Sequence, residues 1–378
     1  MSALVAAGTA GASSARADEA TGRWTGHVGA RGNYYYERST RVMAPRADVQ
    51  LESPTGTRID ADYLVDTITS ASVATGVTDD VSFTEVRHEV GMGLSQPFDL
   101  AGDELRIGAT GRLSLEPDYD SFDAGVLVRL DLANRATVLE MGLGYRHDAV
   151  RRSVRMLALS GRLQEVERAC SDDPAIDCGL DVLSASATWT QSLNRTMELR
   201  LGYDLSFLRG FQWNPYRMVP VNGVPTPEHH PDTRFRNGFT ARLIWHVPSS
   251  RTSLQIMPRV YVDSWELAAF SGELRIYQEV EPVLFRLRYR YYAQTDAYFY
   301  RPAAAIPMGT RYVTADPKME AFSGHTIGGS IELAMPFLEG TFLDFARRAT
   351  IDVVFDYTFQ DSSFGNAAHA QIGGRIPF

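Results

Sequence analysis

Apolar and polar positions alternate with a period of two along most of this chain, from about Arg23 to Phe378, which is the spacing of extended strands with one greasy and one wet face. Ile351, Val353, Phe355, Tyr357 and Phe359 share one register, while Asp352, Asp356, Thr358 and Gln360 share the other. Val283, Phe285, Leu287, Tyr289 and Tyr291 stand against Arg286, Arg288, Arg290 and Gln294. Met197 to Phe207 and Ala124 to Leu132 repeat the pattern. Strands of soluble proteins average five or six residues, whereas a tilted strand crossing a bilayer needs about 9 to 11, and many of these runs are of the longer kind.

Sixteen strands are expected, near residues 23–37, 41–53, 57–68, 81–96, 103–116, 119–132, 136–147, 181–193, 196–208, 234–247, 252–264, 269–281, 283–296, 322–336, 349–361 and 366–378. An even number returns both chain ends to one side, as outer-membrane barrels require. The connections then sort by length. Segments 53–56, 133–135, 193–195, 248–250 and 281–282 are short and fall on the side of the chain ends; 69–80, 148–180, 209–233 and 297–321 are long and fall opposite, with 337–348 the exception. The expected fold is all-β: a transmembrane antiparallel up-and-down β-barrel of about 16 strands, with long external loops and short periplasmic turns. Residues 152–166 fit either a further strand or an amphipathic loop helix.

Aromatic residues sharpen this picture, because they gather where hydrocarbon meets headgroups. Tyr34, Tyr36, Tyr145, Phe207, Tyr291 and Phe359 fall on the apolar register at outer strand ends, and Trp24, Trp189, Trp245 and Phe378 at inner ends. Ile372, Ile376 and the final Phe378 form an alternating apolar run that resembles the C-terminal assembly signal of outer-membrane proteins.

The first residues change the domain reading. Ala3 to Ala12 is small and apolar, and Ala15-Arg16-Ala17 offers a cleavage site before Asp18, so residues 1–17 are expected to be a signal-peptide remnant and 18–378 one barrel domain. Every window of helix-spanning length is interrupted by charge, which disfavours a helical membrane span. Cys170 and Cys178 are expected to pair as a disulfide across a surface loop in an oxidising compartment. The formal net charge of −9, with no basic stripe, argues against nucleic acid as a partner.

Candidate chemistry lies on the polar register, since a sixteen-strand barrel is wide enough for an aqueous channel. Arg236, Arg242, Arg259, Arg275, Arg286, Arg288 and Arg290 form a mostly basic wall, in which Glu273 lies roughly opposite Arg290. Asp48, Glu52, Asp60, Asp62, Asp66, Glu85 and Glu89, joined by Asp352 and Asp356, form an acidic one in which Arg46 and Arg87 are the minority. The third strand of such a cylinder lies across from the eleventh, so the two walls would face each other and orient dipolar or zwitterionic solutes. Cross-strand pairing that stiffens the wall is the competing reading of any one of these charges.

The loops offer weaker candidates. Glu228-His229-His230 holds two metal-ligand types without further placed ligands. Glu116, Asp118, Asp120 and Asp123 crowd an external turn but match no complete calcium loop. Trp213 and Tyr216 in segment 209–233 suit either an inward constriction or an outward cap. Ser323 and His325 are the only nearby Ser and His pair at a strand's outer end, and catalysis there is not expected. No catalytic constellation, phosphate loop or cofactor motif is found, so neither enzyme nor cofactor is expected.

Val42 to Pro45, the run Ala61 to Ser72, Asn214-Pro215-Tyr216-Arg217, and Tyr289 to Tyr300 resemble an uncharacterised proteobacterial family of predicted outer-membrane β-barrels, a domain of unknown function. The resemblance implies a barrel at the bacterial outer membrane and no particular activity. Together these readings lead to a porin-like channel for passive diffusion of small hydrophilic solutes through a charged lumen. The expected partners are membrane lipid, the outer-membrane assembly machinery and those solutes, and a homo-oligomer is compatible with them. The alternative is a non-transport barrel that anchors external loops for partner or surface interaction.

Overall fold

The computed structural model describes residues 22–38, 40–70, 83–117, 119–150, 153–157, 163–167, 178–213, 218–222, 224–301, 306–307 and 309–378. Strands β1 (Thr25–Glu37), β2 (Thr40–Glu52), β3 (Arg58–Ser70), β4 (Phe83–Leu100), β5 (Asp103–Leu115), β6 (Tyr119–Leu132) and β7 (Thr137–Val150) follow one another around a barrel wall. Two short strands, β8 (Ser153–Leu157) and β9 (Leu163–Glu167), leave the wall as a separate hairpin. The wall resumes with β10 (Gly179–Asn194) and β11 (Met197–Gly210), and a second hairpin of β12 (Met218–Val221) and β13 (Val224–Pro227) interrupts it again. It is completed by β14 (Thr233–Val247), β15 (Thr252–Asp263), β16 (Ala268–Val280), β17 (Val283–Gln294), β18 (Phe322–Ala334), β19 (Thr350–Gln360) and β20 (Ala367–Pro377).

Sixteen of these strands pair antiparallel with their neighbours, and β20 pairs with β1, so the sheet has no edge. Closure extends to the last residue, where Gly26 N donates to Phe378 O at 3.0 Å and Phe378 N to Gly26 O at 2.9 Å. The expected sixteen-strand closed barrel is the fold observed. Residues 152–166 contribute β8 and part of β9 to an external hairpin, neither a seventeenth wall strand nor a helix, because two five-residue strands pair only with each other.

Turn chemistry accounts for the tight ends. Ala133, Asn134 and Arg135 all take positive φ (51°, 55° and 68°), reversing the chain between β6 and β7. Gly56, at φ 78°, closes the β2–β3 turn by donating its N–H to Ser53 O at 2.9 Å.

The burial pattern is inverted relative to a globular protein. Leu143, Leu287 and Ile372 are 68%, 59% and 60% exposed on the wall's outer face, while fully buried large side chains such as Trp265, Phe299, Ile306 and Met319 belong to the connections beyond the strands. The apolar core therefore sits at the loop end, not inside the barrel. Among the described residues, no helix is long and apolar enough to cross a membrane.

Candidate functional site: the barrel lumen

In a closed sheet the polar register must line the inside if the apolar one is outside. Contacts that skip a strand confirm the concave face. Arg288 on β17 reaches Asp356 on β19 at 2.7 Å, Arg112 on β5 reaches Asp62 on β3 at 3.5 Å, and Arg31 on β1 approaches Asp352 on β19 at 3.8 Å.

Each of these bridges passes over a glycine of the intervening strand. Gly328 is the β18 partner of both Arg288 and Asp356, Gly91 lies between Asp62 and Arg112, and Gly373 between Arg31 and Asp352. A Cβ on Gly328 would overlap the Asp356 carboxylate and come within 2.7 Å of Phe355 O; one on Gly373 would lie 2.7 Å from Asp352 Oδ1. Glycine is thus the saddle that lets charges on next-nearest strands meet.

Ion pairing extends around much of the wall. On the acidic side His27 lies 3.4 Å from Asp48, Arg58 lies 3.0 Å from Glu52, and Arg46 lies 3.5 Å from Asp62. Arg87 pairs with Asp66, and Arg112 with Glu89. Asp60 accepts from Gln50 Nε2 at 2.6 Å instead. Glu85 belongs to β4, but its side chain lies outside the described residues. The acidic wall is consequently not the bare field that residue counts on β2 to β4 suggested: Arg46, Arg58 and Arg87 on those strands and Arg112 on the flanking β5 hold its carboxylates, while Arg31 on β1 approaches Asp352 on β19. A further chain joins Arg129, Glu140 and Arg200, with contacts of 3.2 and 2.9 Å.

The basic wall is balanced differently. Arg275 and Arg288 share Glu273, whose Oε1 faces Arg275 and whose Oε2 accepts from Arg288 at 3.1 Å. Glu273 and Arg290 are Cα partners across the β16–β17 pair, as the sequence suggested, yet the carboxylate is committed to the other two guanidiniums. Asp263 is likewise occupied, binding Arg234 and accepting from the Tyr261 hydroxyl at 2.7 Å and from Trp265 N at 2.9 Å. Among the described residues, Arg236, Arg242, Arg259, Arg286 and Arg290 make no ion pair, and Arg242 has only Gln255 Oε1, at 2.9 Å.

A cap rises over these strands. Segment 211–232 and segment 295–321 are bridged where His229 N donates to Val313 O at 3.0 Å and Val313 N to His229 O at 2.7 Å. Beside that bridge the Thr314 hydroxyl donates to the buried Glu228 carboxylate at 2.7 Å. Trp265, Leu267, Ala297, Phe299 and Met319 pack into one cluster against Tyr261 and Ala269, both on the polar register. Arg234 lies under the Trp265 ring, 3.9 Å from its centroid. Glu320 fastens the cap to the β19–β20 loop, accepting from Ser363 N at 2.7 Å and from the Tyr300 hydroxyl at 3.1 Å. The described part of segment 209–233 packs on segment 295–321 and, through His230, against Trp265 and Phe299.

The other candidates disperse. No group of three metal-ligand side chains converges among the described residues. Glu228 and His230 are packed in the cap, with His230 Nδ1 3.0 Å from Gln212 O. Asp120 and Asp123 fall on opposite faces of β6, Glu116 lies 3.9 Å from Arg87, and Asp118 lies outside the described residues. His325 pairs with the Tyr289 hydroxyl at 2.8 Å on the outer face while Ser323 binds Asp361, so no Ser–His pair forms. Cys170, Tyr216 and residues 1–17 lie outside the described residues, and with Cys170 the expected disulfide.

The model of the family described as protein of unknown function (DUF3570) matches residues 79–376. The chain belongs to that family. Among solved structures, this DUF3570 barrel is similar to the Pseudomonas aeruginosa outer membrane protein OprD at 8% identity, covering 94% of each chain, with a TM-score of 0.44. It is also similar to OccK3 (OpdO) of that organism at 7% identity over 94% of this chain and 95% of that one, with a TM-score of 0.44. A third, OccK7 (OpdD), gives 10%, 94%, 98% and 0.45 for the same measures. No curated protein matches the sequence.

Residue-by-residue reading of this DUF3570 chain missed the glycine saddles and the cap's Arg234–Asp263–Trp265 knot. The saddles had a signal: Gly91, Gly328 and Gly373 interrupt the polar register of otherwise polar strands. The knot had none, since its three residues come from the ends of two strands and a turn whose packing depends on a distant loop.

Proposed function

We propose that this protein is an outer-membrane channel through which small hydrophilic solutes diffuse passively. The observation that carries this reading is a closed wall of sixteen strands with apolar side chains outside and ion-paired, water-compatible side chains inside. Lipid is the solvent that tolerates the exposed Leu, Ile and Phe of the outer face, and half-exposed Trp24, Trp245, Phe378, Tyr34 and Phe359 sit where headgroups would meet the two rims. On this reading Ile372, Ile376 and Phe378 present the closing strand to the assembly machinery. No catalytic constellation among the described residues favours an enzyme. Reconstituted into a planar bilayer, the folded protein should give discrete conductance steps; a heat-modifiable, correctly folded preparation that never conducts overturns the proposal.

The cap favours a second reading, a barrel that displays external loops to a partner. Deleting 211–232 together with 297–318 separates the two: a channel gains conductance, whereas a display barrel loses partner binding without any conductance change.

A further inference from the structure

On the outer face of the barrel, we infer that β6, β7, β10 and β11 carry a binding site for one phosphorylated glycolipid, the lipid A of the outer leaflet. Its phosphate is held by His147 and Arg209, and an acyl chain lies in the groove below them. The inference rests on the lipid-facing part of the channel reading and not on conduction. Register builds the site in rows. Tyr145, Leu183 and Phe207 are successive Cα partners on β7, β10 and β11, and Leu143, Ala185 and Leu205 stand two residues nearer the inner rim. Two residues nearer the outer rim the row changes character, to His147, Asp181 and Arg209. All three rows share the outward register. The apolar rows enclose a groove of about 560 Å³, because Ala124 and Ala185 are small among the larger side chains of Leu143, Leu183 and Phe207.

The groove by itself selects nothing, since lipid tails are as apolar as leucine and a bilayer supplies them everywhere. The polar row supplies the selection. Asp181 Oδ1 accepts from the Tyr145 hydroxyl at 2.7 Å and pairs with His147 Nδ1 at 2.9 Å, which leaves Nε2 as the remaining hydrogen-bonding atom of that ring. Arg209, the Cα partner of Asp181, is exposed and makes no ion pair among the described residues. A charged side chain on the lipid face is costly at the bilayer midplane and nearly without cost at the interface. This row therefore marks the headgroup level, and the groove lies in the acyl region beneath it. Tyr145 joins the two levels, its ring lining the groove and its hydroxyl fixing Asp181. A phosphate carried on a sugar with acyl chains attached fits this arrangement: Arg209 offers a planar fork of N–H donors and His147 one more. Asp181, committed to Tyr145 and His147, positions those donors. Asp120, a second carboxylate on this face, stands a row further out, opposite Ala149.

Bisphosphorylated lipid A is the probe, with phosphatidylglycerol as a phosphate-bearing lipid that lacks the sugar. In native mass spectra of detergent-solubilised full-length protein, one lipid A should be retained per barrel in preference to phosphatidylglycerol. His147→Gln with Arg209→Gln should weaken retention at least about tenfold. Arg209→Lys should weaken it less, a point charge replacing a fork. Ala185→Leu fills the groove without touching any charge and should also lower retention. Arg41→Gln should leave it unchanged, although Arg41 is an exposed arginine at the outer end of β2. Heat-modifiable migration verifies that each variant is folded. Full retention by the double glutamine variant or by Ala185→Leu, an equal loss with Arg41→Gln, or no preference over phosphatidylglycerol overturns the site. Bilayer conductance is read separately: steps without lipid A retention sink the site and keep the channel, and retention without steps does the reverse.

Discussion

Gly328 shows how much one missing side chain organises in this wall. Its absent Cβ makes room for Asp356 to reach across β18 to Arg288, whose other nitrogen holds Glu273, so a three-strand chain of charge rests on that position. Gly328→Ala should cost about 1–3 kcal/mol, since it displaces charge-assisted hydrogen bonds and crowds Phe355 O. Gly32→Ala, whose Cβ would meet nothing nearer than Ile372 Cγ2 at 3.8 Å, should cost far less. Urea midpoints of the two variants in lipid vesicles, read against the parent, provide the comparison; equal midpoints would refute the saddle. The positions were visible as glycines on a polar register, but which strands they joined was not, because a skipped-strand contact depends on barrel curvature.

At the level of elements, the cap behaves as a small globular unit set on the barrel wall. It owns most of the buried apolar residues, and two segments about eighty residues apart hold it together at Glu228–Thr314 and His229–Val313. Thr314→Val leaves the buried Glu228 carboxylate short of a donor and should loosen the cap by about 1–3 kcal/mol, seen as faster hydrogen exchange in 224–232 and 309–316 with strand amides unchanged. A second prediction concerns alkali. Burial, reinforced by the Glu320 carboxylate that accepts its hydroxyl, pushes the Tyr300 phenol from 10.0 up to about 12. A raised phenol favours the folded cap fully below its ordinary range and loses that contribution as pH climbs through about 12. Protease resistance of segment 295–321 should therefore fall over that interval, and Tyr300→Phe should flatten this part of the profile; an unchanged profile would dissociate Tyr300 from cap stability.

Across the whole molecule, Val126 and Leu127 offer a direct test of which solvent each face meets. They are adjacent on β6 and each is 50% exposed, yet they point to opposite sides of the wall. Arginine at 126 should destabilise the folded barrel by roughly 2–4 kcal/mol in lipid, while arginine at 127 should be nearly neutral and change ion preference instead. Equal costs in vesicle-based unfolding would remove lipid from the outer face. Period-two alternation, the lengths of the runs and the asymmetry of the connections determined the strand count and the inside and outside of this protein from sequence alone, because one side-chain period decides both faces once a sheet is closed. The charged positions of the polar register were also readable there. Only the tertiary structure decided which of them remain uncompensated, since ion pairing follows neighbours in the cylinder rather than in the chain. The cap was likewise decided there, its core being assembled from loops whose sequences carry no period to read.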